Sequence, residues 1–412
     1  MELERADRDV AAAVADLRAL GSRVDWDAHR HVSGQRGLRE IEEQSASPLR
    51  DAVAAWIAWL TAVRVSQPAE QRLHAALADA RAVVRLERDQ QVDLRGIIDG
   101  LLAARTPGEA RAWIAALPDV AAKMEEPERT LRETRAEAFR RLGIDDPSAR
   151  FVGASRSDLV SAARELIAST DDLAHEITSR GEPWPIDMPW RLGRGAKEGW
   201  PSRLTWRTAA ALVPGLEPKT MPGAAMKGEP PRALGAASFA RALWAIGESF
   251  HHSTRPKTEP FSIREPPLDP RPSRAGFVLA SALGERALHA RVLGLSGGRA
   301  ADQARATVAS FLLAMRTDAF RVAQRGGDAD DLSDRVFGAA LGWPPARDED
   351  FPRLVAWLAS LEVIDALRER EGDDWFRNPR AFATLRDMSG APASVPEGSV
   401  ARLARRFEAL LG

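Results

Sequence analysis

Apolar residues return at three- and four-residue intervals through most of this chain, and no stretch sustains the apolar–polar alternation of a half-buried strand. Glu4 to Leu20 reads as an Ala-rich amphipathic helix. Ser47 to Val65 opens on Ser-Pro, a capping residue followed by a proline suited to the first helical position, and spaces Val53, Trp56, Ile57, Leu60 and Val63 along one face. Gln67 to Leu102 is predicted as one long, bent helix. Thr106-Pro107-Gly108-Glu109 has the form of a capping box opening the helix that bears Trp113 and Ile114. Pro118 to Arg141 follows, with Gly143 as its stop, and Ser155 to Ser179 turns Leu159, Ala162, Leu166 and Leu173 inward. Helices resume at Leu234–His252, Ser273–Leu293, Arg299–Arg325, Asp328–Leu341, Glu349–Glu371, Asp373–Met388 and Val400–Leu411. The pattern predicts an all-α fold with little or no sheet.

Three irregular stretches punctuate these helices. The composition shifts at Gly181, where GEPWPIDMPWRLGRGAKEGWPSR is rich in Pro, Gly and Trp; Pro214–Pro231 and Arg255–Pro272 are similar. The first shift sets the predicted boundary between an N-terminal helical region, 1–180, and a second region, 181–412. Trp-bearing segments of this kind are expected to pack over a domain while keeping some mobility. There is no internal repeat.

Composition narrows the function. Lys+Arg 58 against Asp+Glu 59 leaves a formal charge of -1, without the basic excess that a general nucleic-acid binder needs. No cysteine is present, which excludes a thiolate metal site, an iron–sulfur cluster and a cysteine nucleophile; tyrosine is absent as well. No apolar run reaches the length of a membrane span and no signal peptide is visible, so a soluble, cytoplasmic protein with no membrane partner is expected.

The candidate chemistry lies in LWAIGESFHH, Leu243 to His252. On a helix, Phe239, Leu243, Ile246 and Phe250 form a core stripe. Gly247 and His251 stand one turn apart on another face with Trp244 above them, and Glu248 lies beside that face, one turn from His252. The five residues from Gly247 to His251 match the H-E-x-x-H pattern of a zinc peptidase except at its first position. In that pattern two histidines one turn apart bind the metal, and the glutamate activates its water. Glycine has no side chain to donate, and inside a helix it costs roughly 1 kcal/mol relative to alanine. Read alone, G-E-x-x-H also describes a helix with a partly buried histidine and a solvated glutamate.

The surroundings add a resemblance. From about residue 235 to 412 the chain resembles the oligoendopeptidase F and thimet-oligopeptidase family of gluzincin peptidases. After its zinc helix that family has an irregular segment and a second helix carrying a glutamate ligand just before a Gly-Phe pair. Here Glu259 to Leu283 has that layout, with Arg274 preceding Ala275, Gly276 and Phe277. Trp357 to Met388 is similar to the family's terminal helices, including a turn reading Gly-Asp-Asp-Trp-Phe. The resemblance implies a large helical fold with a central groove that accepts extended peptides. It also implies that the ligand-equivalent positions are Gly247, His251 and Arg274, two of which carry no usable donor. A catalytic zinc has three protein ligands, so no metal or other cofactor is expected, zinc being the one to look for if that reading fails. The family's tyrosines, which stabilise the oxyanion and hold substrate, have no counterpart.

The expected function is that of a catalytically inactive homologue that binds a peptide or a partner protein's segment. The remnant base position Glu248, with His251, His252, Arg274 and Trp244, would serve as groove or ion-pair residues. Arg274 is expected either to neutralise Glu248 directly or to reach solvent. The alternatives are an active metal-dependent hydrolase with a non-standard site and a purely structural protein. Elsewhere, His251, His252, Glu248 and His289 could share a metal, but adjacent helical residues point about 100° apart. His29, His31, Asp25 and Asp27 read as a solvated loop. Ser249, in mid-helix, lacks the strained turn of a nucleophile. Gly193–Gly199 and Leu295–Ala300 read as turns or helix starts.

Overall fold

A computed structural model describes residues 2–86, 88–104, 106–178, 236–326, 329–337, 348–391 and 393–411. The boundary at Gly181, the stretch Pro214–Pro231 and the Gly-rich run 193–199 lie outside these residues. The described chain is helical apart from one two-stranded sheet. The α-helices of five or more residues are α1 (Leu3–Leu20), α2 (Gln35–Glu42), α3 (Pro48–Asp79), α4 (Leu94–Ala103), α5 (Pro107–Ile114), α6 (Leu117–Arg141), α7 (Pro147–Phe151), α8 (Arg156–Ser169), α9 (Asp171–Thr178), α10 (Ala236–Thr254), α11 (Arg271–Ser281), α12 (Arg286–Arg291), α13 (Gly297–Ala323), α14 (Ala329–Phe337), α15 (Asp350–Glu371), α16 (Pro379–Ser389) and α17 (Ser399–Leu411). The all-α class predicted from the pattern is the one observed. Among the described residues no helix is long and apolar enough to cross a membrane.

The chain forms two compact units, neither of which is a continuous stretch of sequence. The first holds Met1–Gly100, Arg111–Arg156 and Arg255–Asp269. Its core joins Val10 and Val14 of α1, the predicted stripe of α3 and Phe139 of α6. Ser47 caps α3 as its sequence requires, the hydroxyl accepting from the Arg50 amide at 3.1 Å. Gly143, with φ +73°, ends α6 where a left-handed residue was expected, and the Ile144 amide reaches back to the Phe139 carbonyl. The distant stretch Arg255–Asp269 is tied in by Asp7, whose carboxylate accepts from the Phe261 and Ser262 amides at 2.8 and 2.7 Å. Trp56 also donates to the Glu265 carbonyl at 2.7 Å.

The helix expected over 67–102 is not one helix. α3 runs through Pro68 to Asp79, and Ala82–Val84 (β1) then pairs antiparallel with Gln90–Val92 (β2) before α4 begins. The three residues of β1 are too few to distinguish a strand from a helical period.

The second unit contains Ser157–Thr254 and Pro270–Gly412, with Leu101–Ala110. Its interior is built on α13 and α15, whose apolar residues are buried on nearly every face. The predicted helix over 155–179 is broken at Thr170. Arg316 of α13, fully buried, donates to the Ile167 carbonyl at 2.7 Å, the Thr170 hydroxyl at 2.8 Å, the Asp171 carboxylate at 2.8 Å and the Arg335 carbonyl at 3.0 Å. The carbonyl released where α8 ends is thus satisfied by a charged donor from another helix. Likewise the helix predicted over 273–293 divides at the turn Ala282–Gly284. The one over 373–388 begins only at Pro379, where the Asn378 side chain accepts from the Arg380 amide.

Candidate functional site

α10 carries its stripe as predicted: Phe239, Leu243, Ile246 and Phe250 are all buried. Its main neighbour is α11, and the two backbones touch. A Cβ built on Gly247 would lie 2.6 Å from both the Ala275 carbonyl oxygen and the Gly276 Cα. A Cβ on Gly276 would lie 2.8 Å from the Trp244 carbonyl oxygen and 2.7 Å from its indole Cδ1. Two glycines therefore face each other across the crossing, and each keeps the space that the other helix fills. A glycine inside a helix is costly; here the close approach accounts for it.

Glu248, one residue on, is half-buried. Its Oε1 accepts two hydrogen bonds of 2.9 Å, one from the Trp244 indole N–H a turn earlier and one from the Ser273 hydroxyl on α11. The Trp244 ring lies against Phe277 and Trp357, with centroids 5.7 and 5.1 Å away. Trp357, buried in α15, donates its own indole N–H to Asp318 at 2.9 Å. Asp318 and Asp350, both buried, lie 3.3–3.6 Å from the guanidinium groups of Arg321 and Arg353. Asp318 foremost, with Asp350 and then Glu248, holds Arg353 above the ordinary arginine range, against the opposing effect of burial. Arg353 thus senses the charge of Glu248.

Arg274 points elsewhere. It is 5 % exposed, and its guanidinium donates to the Met388 carbonyl at 2.7 Å and the Ala391 carbonyl at 2.8 Å. These oxygens lie in the last turn of α16 and just after it, where the helix dipole favours a cation; the Met388 carbonyl also accepts from the Ala391 amide at 3.2 Å. The two bonds at Glu248 come from Trp244 and Ser273, so the direct Arg274–Glu248 pair is replaced by two separate arrangements, and Arg274 does not reach solvent.

His251 is fully buried, and its ring meets that of the half-buried His252 edge-on at 5.5 Å. Ser249 is buried with its hydroxyl bonded to the Ala245 carbonyl at 2.9 Å, a helix-internal bond. His289 is fully buried on α12, its Nε2 2.7 Å from the Leu283 carbonyl, and burial lowers its pKa against the opposing effect of that bond. In the other unit, His29 and His31 pair with Asp16 and Asp9 of α1 at 2.8 and 2.9 Å, while Asp25 accepts from the Asp27 amide.

The H-E-x-x-H pattern implies zinc, and this residue set does not fit it. Position 247 offers no donor and no room for one, and position 274 presents a guanidinium already bonded to two carbonyls. Among the described residues no group of three or more histidine, aspartate or glutamate side chains is arranged to hold a metal. Ser273, Gly276 and Arg353 were not singled out in the sequence. Gly276 had a visible signal, its place in the Gly-Phe pair, whereas Ser273 and Arg353 become legible only once α11 and α15 are placed around Glu248.

No family model matches the chain, and no curated protein sequence is similar to it. The structure is similar to the crystal structure of a protein from Bacillus anthracis strain Ames described as an oligoendopeptidase F, with a TM-score of 0.52 and 9% identity, over 100% of this chain and 96% of that one. At that identity the likeness is one of fold.

Proposed function

We propose that this chain, on a fold shared with a protein described as an oligoendopeptidase, acts by binding a peptide or a partner protein's extended segment and does not hydrolyse it through zinc. The observation that carries this reading is the backbone contact at Gly247. A histidine there would need side-chain volume where the Ala275 carbonyl and the Gly276 Cα already stand. Arg274, at the position where the resemblance puts a third ligand, supports the same reading, because a fixed positive charge opposes a divalent cation. So does the absence of tyrosine from the whole chain. The proposed ligand class follows from the resemblance, in which the groove takes extended peptides.

The test uses the full chain purified without chelator. Metal analysis is expected to find no stoichiometric zinc, and quenched fluorescent peptides no chelator-sensitive cleavage. Pooled hexapeptides are expected to bind saturably. Stoichiometric zinc together with chelator-sensitive cleavage would restore the hydrolase. Absence of both cleavage and binding would favour a structural role. The variant Gly247→His/Arg274→Glu, which restores the family's ligands, is expected to be destabilised and to retain no zinc; zinc retention at native stability would show that the crossing is open.

A further inference from the structure

Glu248 has features that hydrogen bonding within the fold leaves unused. Both of its bonds end on one oxygen, Oε1, at 2.9 Å from Trp244 and from Ser273. They come from different helices, so the carboxylate is fixed in position and plane. Oε2 takes no hydrogen bond among the described residues and is not among the polar atoms sealed from solvent. Glu248 forms no direct ion pair with a described residue. Its charged neighbours Asp318 and Asp350 are matched by Arg321 and Arg353, carboxylate for guanidinium. A half-buried carboxylate held by neutral donors at one oxygen and open at the other is preorganised for a cationic nitrogen, and a charge-assisted bond made there is stronger than a neutral one.

We infer that Glu248 is the specificity anchor of the binding site, its Oε2 accepting a cationic nitrogen of the ligand: the α-ammonium of a peptide's N-terminus or the head of a lysine or arginine side chain. The inference rests on the peptide-binding reading above and names the ligand chemistry of that same site. The residue that would have served as a base in a peptidase is here a recognition group.

The test uses three pools of C-terminally amidated hexapeptides and the full chain. One pool is N-acetylated and free of lysine and arginine, a second has a free N-terminus without those residues, and a third is acetylated but contains them. The wild type is expected to bind one cationic pool about tenfold more tightly than the neutral pool, and which pool it is identifies the source of the nitrogen. Glu248→Gln keeps an acceptor for Trp244 and Ser273 while removing the charge. It is expected to erase that preference and to retain the weaker binding of the neutral pool. Should this variant not fold, the wild type alone gives the answer. A preference for the free N-terminus must vanish at a pH well above the α-amine's value of about 8, and one for basic side chains must weaken with salt. Equal binding of all three pools by the wild type, or a preference that survives in Glu248→Gln, overturns the inference and leaves peptide binding standing. Absence of binding by every pool overturns both.

Discussion

Replacing Gly247 by alanine sets two effects of opposite sign against each other. Helix propensity favours the change by about 1 kcal/mol, because alanine loses less backbone freedom on folding. Packing opposes it. The new Cβ would sit 2.6 Å from the Ala275 oxygen and the Gly276 Cα, both of them backbone atoms that cannot rotate away. Ordinary carbon contacts lie at about 3.5–4.0 Å, so α10 and α11 must part by about 1 Å, and overpacking of this kind costs roughly 1–3 kcal/mol. The net expectation is a destabilisation of about 1 kcal/mol. Gly298, in the first turn of α13 and in the same unit, is the internal control: a Cβ there meets nothing within 4 Å. Gly298→Ala should therefore stabilise by up to about 1 kcal/mol, leaving the same chemical change about 2 kcal/mol apart at the two sites. Urea unfolding followed by helical circular dichroism measures both. If Gly247→Ala stabilises as much as Gly298→Ala, the two backbones are not in contact and the account of the mid-helix glycine fails with them.

Arg274→Ala should cost about 1.5–3 kcal/mol, because it strips a charged donor from two carbonyls. The loss should add to that of Glu248→Gln within about 0.5 kcal/mol, and a larger coupling in the double-mutant cycle would reinstate an ion pair between them. Arg316→Met should be the most damaging of these changes, at about 3 kcal/mol, since the Ile167 carbonyl and the Thr170 hydroxyl lose a buried charged donor while Asp171 keeps Arg335; thermal unfolding that stays within a few degrees of wild type would refute that. Burial lowers the pKa of His289 in the folded chain, so between the ordinary histidine value and the lowered one the unfolded state holds the extra proton. Stability from this group is fully present above about pH 6.5 and is lost as the pH falls towards the lowered value, by up to about 1.4 kcal/mol per pH unit. Urea titrations across that range should show a shallower slope for His289→Asn, and an unchanged slope would exonerate His289.

The fold class and most helices were legible because helical periodicity is local information. The stripe from Phe239 to Phe250, the Ser47 cap and the Gly143 stop need only their own neighbourhoods to be read. Sequence pattern and structure part where a distant residue decides. Thr170 interrupts a well-patterned helix because Arg316, on α13, bonds the carbonyl that the break exposes. The site shows the same division. That a glycine precedes Glu248 in mid-helix is a sequence observation, but its reason, Gly276 across the crossing, is a tertiary one. The charge of Arg274 suggested Glu248 as its nearest acidic partner in the motif. What settled its direction was a pair of helix-end carbonyls more than a hundred residues away, which carry no sequence signature at all.

The chain has 12 tryptophans and no tyrosine. Excited beyond the phenylalanine band, its intrinsic fluorescence therefore arises from indole, with no phenol to transfer energy or blur the emission. One of those indoles, Trp244, hands its N–H to Glu248 and lies edge-on to Trp357, whose N–H goes to Asp318. Two chromophores set 5.1 Å apart, each tethered to a carboxylate, should couple and give a signed near-ultraviolet dichroism band. A cation arriving at Glu248 would shift the field on the Trp244 ring and so change the coupled band of the pair. The proposed binding at Glu248 would thus be readable without any label.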